Sequence, residues 1–300
     1  MNWFHNAIAA TLPAVPKPIV RRMSSRYIAG ETVDDALATV ARLNAGGMQV
    51  TLDVLGEFIS TPEEARQAGA EYRDLLERIQ DRGLDSNVSM KLTQMGLKLD
   101  PELCLEVARS VTETARGFGN FMRLDMEDSS CTTPTLDIYR RLRAEYEKVG
   151  VVIQAYLKRS QADVAGLCRS GANVRLCKGI YVEPEEIAFK NPLEINRNYQ
   201  VLLRMLLESG CYVGIATHDE RLVNASYRMI EELRVPRDRY EFQMLLGVTE
   251  NLRDRILAAG HRLRVYVPYG SHWYAYSLRR LKENPQIAGY ALKGILRGGS

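Results

Sequence analysis

Met48-Gln49-Val50-Thr51-Leu52-Asp53-Val54, followed by Thr61-Pro62-Glu63-Glu64 and an apolar stripe at Ala65, Ala68, Tyr72, Leu75, Leu76 and Ile79, reads as one strand feeding one helix. The first run alternates with period two: Met48, Val50, Leu52 and Val54 take one face, Gln49, Thr51 and Asp53 the other. Thr61 with Glu64 is a capping box, with proline at the first helical position. The unit recurs along the chain. Further β-like runs begin near Asn87, Asn120, Gly150, Ala172, Tyr212, Tyr240 and Arg262, on average about 31 residues apart, the length of one βα unit. Asp100-Pro101 and Thr133-Pro134 repeat the cap-then-proline signal and predict helix starts at those places. Eight alternating units without a large interruption predict an α/β fold of (β/α)8 TIM-barrel type over residues 47–300. A helical N-terminal segment, residues 1–46, leads into it; Pro13, Pro16 and Pro18 break its first part, and a helix is expected from about Val33 to Leu43.

The chain has 300 residues, 46% hydrophobic and 26% charged, with a formal net charge of +3. That composition excludes disorder, collagen and coiled coil as the dominant state, and the small net charge gives no case for nucleic-acid binding. The five cysteines, Cys104, Cys131, Cys168, Cys177 and Cys211, form no CxxC pair. Free thiols in a reducing, cytoplasmic setting are the expectation. His5, His218, His261 and His272 share no ligand spacing, so no metal site is expected. No run of 18 apolar residues is present to span a bilayer. The short apolar stretch Ala7–Leu12 has its basic residues, Lys17, Arg21 and Arg22, after it, the reverse of a secretory signal. Neither a GxGxxG turn nor a GxxxxGK[ST] loop follows any strand, which disfavours Rossmann and P-loop readings.

Strands buried on both faces of a barrel normally read as continuous apolar runs. These carry polar residues on the inward face: Asp53, Lys91, Arg123 with Asp125, Gln154, Arg175, Gln243, and Arg264 with Tyr266. Buried unpaired charges cost several kcal/mol each, so a set this large points to chemistry at the barrel mouth rather than to structure alone. Counting Lys91, Arg123, Arg175 and Arg264 against Asp53 and Asp125 leaves an excess of +2, which predicts an anionic ligand. Lys178, Thr217 and His218 also fall at strand ends, where barrel enzymes place their sites. After the last strand, Trp273-Tyr274-Ala275-Tyr276-Ser277-Leu278-Arg279-Arg280 runs from aromatic to doubly basic. Tyr276 and Arg280 share a helix face, as do Arg279 and Glu283, and the context favours a bidentate carboxylate clamp.

In this order the pieces resemble the proline dehydrogenase family in its short monofunctional bacterial form, from about Tyr27 to Asn284. The resemblance rests on Gly30-Glu31-Thr32, Thr51 to Glu57, Lys91 to Gly96, Arg123 to Ser129, Gln154 to Leu157, Arg175 to Tyr181, Ala216-Thr217-His218, Glu241 to Leu245 and Tyr276 to Arg280. Two departures stand out: Ile180 where alanine is usual, and Asp219 where asparagine often follows Thr-His.

The resemblance implies a distorted (β/α)8 barrel holding FAD non-covalently. It implies oxidation of L-proline to Δ1-pyrroline-5-carboxylate, the first step of proline catabolism to glutamate, with electrons passed to a quinone-type acceptor. Δ1-Pyrroline-5-carboxylate dehydrogenase would take the product, and the protein would be cytoplasmic, in reach of the inner membrane face. By resemblance Lys91, Arg279 and Arg280 would hold the substrate carboxylate, and Leu245, Tyr266 and Tyr276 would pack the proline ring. Glu57 would pair with Arg279 as a gate. Asp125 would lie near Lys91 and the flavin, and Arg175 beside the flavin's reacting nitrogen. Gln154, Lys178, Gly179, Tyr181, Thr217, His218, Gln243 and Glu283 would line the rest of the cofactor. The alternatives are another flavin-dependent barrel acting on a different small anion, such as a folate reductase, a Schiff-base aldolase using Lys91 or Lys178, and a non-catalytic anion-binding barrel.

Overall fold

The computed structural model describes residues 20–21, 25–56, 59–274 and 276–278. Eight parallel strands form a closed barrel in sequence order. They are β1 (Gln49–Val54), β2 (Ser86–Met90), β3 (Met122–Leu124), β4 (Val149–Gln154), β5 (Asn173–Cys177), β6 (Tyr212–Ala216), β7 (Tyr240–Leu245) and β8 (Leu263–Tyr269). Each begins within two residues of its expected start. Closure is through β8 on β1, paired from Gln49 with Arg264 to Val54 with Tyr269. Among the described residues the helices are α1 (Val33–Ala45), α2 (Pro62–Asp81), α3 (Pro101–Gly117), α4 (Ser129–Glu145), α5 (Ser160–Cys168), α6 (Pro192–Glu208), α7 (Glu220–Glu232) and α8 (Glu250–Ala258).

The caps explain where the helices begin. Thr61 accepts from the Glu64 N–H while the Glu64 carboxylate accepts from the Thr61 N–H, and Pro62 opens α2 without losing a bond. Thr32 and Asp35 repeat the box at α1. Asp100 caps α3 with Pro101 at its first position. The expectation at Thr133-Pro134 is corrected: α4 starts one turn earlier, and Pro134 lies inside it. Asp128 accepts from the Ser130 N–H, and the Glu183 carboxylate takes the Ser129 N–H at 2.6 Å and its hydroxyl at 2.7 Å. Those acceptors stabilise an earlier first turn, so the proline costs a bond near the helix start rather than setting it.

Helix α1 packs on β1 and β8, burying Ala36, Leu37, Val40 and Leu43 in the same apolar cluster that surrounds the barrel. The outward strand residues Val50, Leu52, Val88, Met90, Met122 and Leu124 are fully buried against the helices. The inward residues are polar, and small ones make room for large ones. Gly150 on β4 faces Arg123, and a Cβ there would lie 2.5 Å from the Phe121 ring and 2.6 Å from Arg123 Nη1. Gly214 on β6 makes space for Gln243 in the same way.

At the lower level the interior charges are bonded within the barrel. Arg123 donates to the carbonyls of Val151 and Asn173 and to the Asn173 side chain at 3.2, 3.1 and 2.7 Å, not to the neighbourhood of Asp125. Arg264 pairs with Glu241 at 2.7 Å and donates to the Val50 carbonyl at 2.8 Å. Burial alone raises the Glu241 carboxyl, but Arg264 and the donor from Gln243 outweigh it and hold the pKa at about 2.

Gly150→Ala is expected to destabilise the fold by roughly 1–3 kcal/mol through overpacking, because the nearest atoms include the Asn173 backbone carbonyl. The urea midpoint checks this, with turnover per folded molecule expected unchanged, since Gly150 lies below the site.

Candidate active site

At the C-terminal ends of the strands a cavity of about 420 Å³ opens. Thirteen of the residues expected there line it together: Lys91, Asp125, Gln154, Arg175, Lys178, Gly179, Tyr181, Thr217, His218, Gln243, Leu245, Tyr266 and Tyr276. Glu57, Arg279, Arg280 and Glu283 lie outside the described residues.

The cavity has two polar clusters. In the first, Asp125 at the end of β3 accepts three bonds. Ser89 Oγ donates to its Oδ1 at 2.5 Å, Arg175 Nη1 to the same oxygen at 2.7 Å, and Tyr266 OH to its Oδ2 at 2.8 Å. The Arg175 guanidinium also lies over the Tyr266 ring, 5.1 Å from the centroid. Its Nε donates to Gln243 Oε1 at 2.5 Å. Beside this cluster, Lys91 Nζ meets Asp53 Oδ1 at 2.5 Å. Burial pulls the Lys91 pKa down, but the carboxylates of Asp53, Asp125 and Glu127 outweigh it and keep the group an ammonium above the ordinary lysine range. A Schiff-base nucleophile needs a neutral amine, so this environment opposes the aldolase reading at Lys91. Lys178, the other candidate, is ion-paired with Asp219 at 2.7 Å.

The second cluster belongs to the ends of β5 and β6. Asp219 caps α7 through the Arg221 N–H and holds both Lys178 and Asn196. Asparagine in its place would cap equally well but would leave Lys178 without its counter-charge. His218 Nε2 accepts from the Leu245 N–H at 2.9 Å, which ties β6 to β7 at the mouth. Gln154 Nε2 donates to the Glu127 carbonyl at 2.8 Å. Gly179 sits at φ 105°, and a Cβ there would fall 2.0 Å from the Tyr156 ring. The segment between β5 and α6 is pinned at several points. Glu183 caps α4, the Lys158 N–H bonds the Ile187 carbonyl, the Phe189 N–H bonds the Tyr156 carbonyl, and Ala188 bridges to Leu157.

The charge count differs from the one expected. Glu241 faces inward on β7 and adds a third interior carboxylate, and Arg123 and Arg264 sit below the cavity. Among the described lining residues Lys91, Arg175 and Lys178 stand against Asp53, Asp125 and Asp219, which balance. The expected excess of +2 is therefore not present at this level, because each cation is matched by its own carboxylate. Asp53 was placed inward by alternation and counted among the interior charges, but was assigned no role; in the structure it is the ion-pair partner of Lys91. Its signal was parity with Thr51 on a strand adjoining Lys91.

An amphipathic cavity of this kind suits a flat heteroaromatic group with polar edges. Val152, Cys177, Ala216 and Met244 supply apolar walls, and Gln154, Arg175, Lys178 and Gln243 supply donors and acceptors. A family model described as Proline dehydrogenase matches residues 36–291. The chain belongs to the proline dehydrogenase family.

Proline dehydrogenase 1 of Bacillus subtilis subsp. natto is 38% identical over 288 residues, covering 96% of this chain and 95% of that one. Proline dehydrogenase of Deinococcus radiodurans is 37% identical over 281 residues, covering 92% of this chain and 91% of that one. Among solved structures, proline utilization A (PutA) from Bdellovibrio bacteriovorus inactivated by N-propargylglycine matches with a TM-score of 0.85 and 27% identity, covering 94% of this chain and 36% of that one. The chain thus spans nearly the whole of the Bacillus and Deinococcus relatives and about a third of that PutA. It is a proline dehydrogenase that oxidises proline, and membership of the family implies a flavin cofactor. No helix among the described residues is long and apolar enough to cross a membrane.

Gly179→Ala is expected to lower flavin content, because the side chain meets both an unfavourable φ and the Tyr156 ring. The ratio of flavin to protein absorbance in the purified variant checks it. Tyr156→Ala on top should restore little, since the backbone conformation still resists alanine.

Proposed function

We propose that the flavin is FAD, bound without a covalent link, and that the chain oxidises L-proline to Δ1-pyrroline-5-carboxylate. The observation that carries this reading is the enclosure of Arg175, Asp125, Lys91 and Tyr266 in one cavity at the strand ends. FAD supplies the hydride-accepting ring when bound, and the chain binds and orients around it. Gln154, Arg175, Lys178, Gly179, Tyr181, Thr217, His218 and Gln243 are the residues that would hold it, together with Glu283 by resemblance. Arg175 offers positive charge toward the cofactor.

For the substrate, Lys91 is an ammonium and is 21% exposed, while its partner Asp53 is almost fully buried. Lys91 also lines the cavity, so a substrate carboxylate bound there would be within its reach. Leu245, Tyr266 and Tyr276 provide the apolar wall for the proline ring. By the resemblance Arg279 and Arg280, which lie outside the described residues, would complete the carboxylate clamp. Glu57, just after β1, would close on Arg279, since β1 and β8 are neighbours in the barrel. Closure would exclude water around the reacting carbon. The electron acceptor in this reading is a quinone, met at the membrane surface, and Δ1-pyrroline-5-carboxylate dehydrogenase takes the product.

Anaerobic addition of L-proline should bleach the bound flavin, and acid precipitation should release the colour into the supernatant. An unbleached flavin would remove the substrate assignment; colour retained in the pellet would remove the non-covalent one.

Tyr266 is engaged through its hydroxyl with Asp125, so its ring edge is fixed. A 4-hydroxyl on the substrate would lose water against this wall at a cost of ~1–3 kcal/mol. Proline is therefore expected to be preferred over 4-hydroxyproline in kcat/KM, with Tyr266→Ser narrowing the gap. Arg280→Ala should lower kcat/KM more than Glu57→Ala. Glu57→Ala and Arg279→Ala should be non-additive by ~0.5–3 kcal/mol in a double-mutant cycle. Strict additivity would show that the gate does not exist.

A further inference from the structure

Gln243 lies between two groups of opposite hydrogen-bonding character. Its Oε1 accepts from Arg175 Nε at 2.5 Å, and its Nε2 donates to Glu241 Oε1 at 2.6 Å. A guanidinium only donates and an ionised carboxylate only accepts. An amide held between them has one permitted orientation, because a flip sets N–H against N–H at one end and oxygen against oxygen at the other. Glu241 is itself anchored from below, by Arg264 Nε at 2.7 Å and Tyr212 OH at 2.9 Å. Gly214 keeps the site tight: a Cβ there would come within 2.5 Å of Gln243 Nε2. Glu241 is buried and is not among the residues lining the cavity.

We propose that Glu241 is a positioning residue for proline oxidation: by fixing the Gln243 amide it fixes the plane of the Arg175 guanidinium at its Nε edge. Asp125 and Ser89 hold the other edge at Nη1, 2.7 and 3.0 Å away. With both edges held, the cation in the cavity wall has one orientation rather than several. The ionised state that this demands of Glu241 is secured, since Arg264 keeps its pKa at about 2. The kinetic consequence rests on the reading of Arg175 as a cofactor-facing residue; the orientation itself does not.

The test removes the acceptor below Gln243. Glu241→Leu takes the carboxylate away, so the Gln243 amide is no longer held in one orientation. Glu241→Gln is the conservative rescue: Gln243 Nε2 and Arg264 Nε both donate to Glu241 Oε1, so Arg264 keeps the oxygen of the new amide toward Gln243. Glu241→Leu with Arg264→Met removes both buried charges together.

Two readouts are taken on the purified flavoprotein: the 15N resonance and exchange protection of the Arg175 Nε–H, assigned with Arg175→Lys, and kcat/KM for proline. Glu241→Leu should lose Nε–H protection and roughly tenfold or more in kcat/KM. Glu241→Gln should keep the protection and most of the activity. Undiminished protection in a folded Glu241→Leu variant, or an equal loss of protection in Glu241→Gln, would overturn the proposal. Should Glu241→Leu not fold, Glu241→Leu with Arg264→Met is read in its place: lost protection supports the proposal and wild-type protection overturns it. Wild-type protein that protects the Nε–H but leaves proline untouched would count against the functional reading alone.

Discussion

A guanidinium inside a closed barrel has no bulk water to hydrate it, and the interior of this protein is arranged around the need to satisfy Arg175. The residue is buried, and its partners come from four other strands or strand ends: Ser89, Asp125, Gln243 and the face of Tyr266. Losing one partner of a buried charge is far more costly than the net worth of the pair. That asymmetry links the strands chemically as well as through their backbone ladders. The position of Asp125, the tilt of Tyr266 and the amide of Gln243 are all consequences of one cation.

The same demand divides the interior into levels. Below, Arg123 bonds carbonyls and Asn173 through its two terminal nitrogens while its Nε has no partner, and Arg264 bonds Glu241 and Val50, so these cations are held within the barrel wall. Above, Lys91 and Lys178 each have one carboxylate partner and keep part of their surface toward the cavity. The change from cations closed into the wall to cations facing the cavity occurs at the strand ends, the level at which a ligand can add contacts.

Strand positions and parity were legible in the sequence because a side-chain period of two is a local property. Asp53, Lys91, Asp125, Arg175 and Tyr266 face inward for that reason alone. Partner choice was not legible: nothing local says that Lys91 takes Asp53 while Asp125 takes Arg175, since the choice depends on shear around the barrel. Glu241 was hidden for the same reason, its role appearing only once Arg264 of the next strand lay beside it. The start of α4 was misread at Pro134 because its real cap includes Glu183, 54 residues downstream of Ser129. The family motifs named residues that line one cavity, since each strand end contributes a short recognisable piece, but not which of them pair.

That same Glu183 carboxylate gives the segment between β5 and α6 an unusual standing among the barrel's loops. Surface connections usually vary independently of their neighbours. This one is stitched to α4 by Glu183 and to the segment after β4 by its bonds with Tyr156, Leu157 and Lys158. A change of length anywhere in it would therefore displace parts of two other βα units. Replacement of an exposed side chain such as Ile180 is thereby easier to accommodate at the mouth of this barrel than an insertion, because it leaves the path of the chain unmoved.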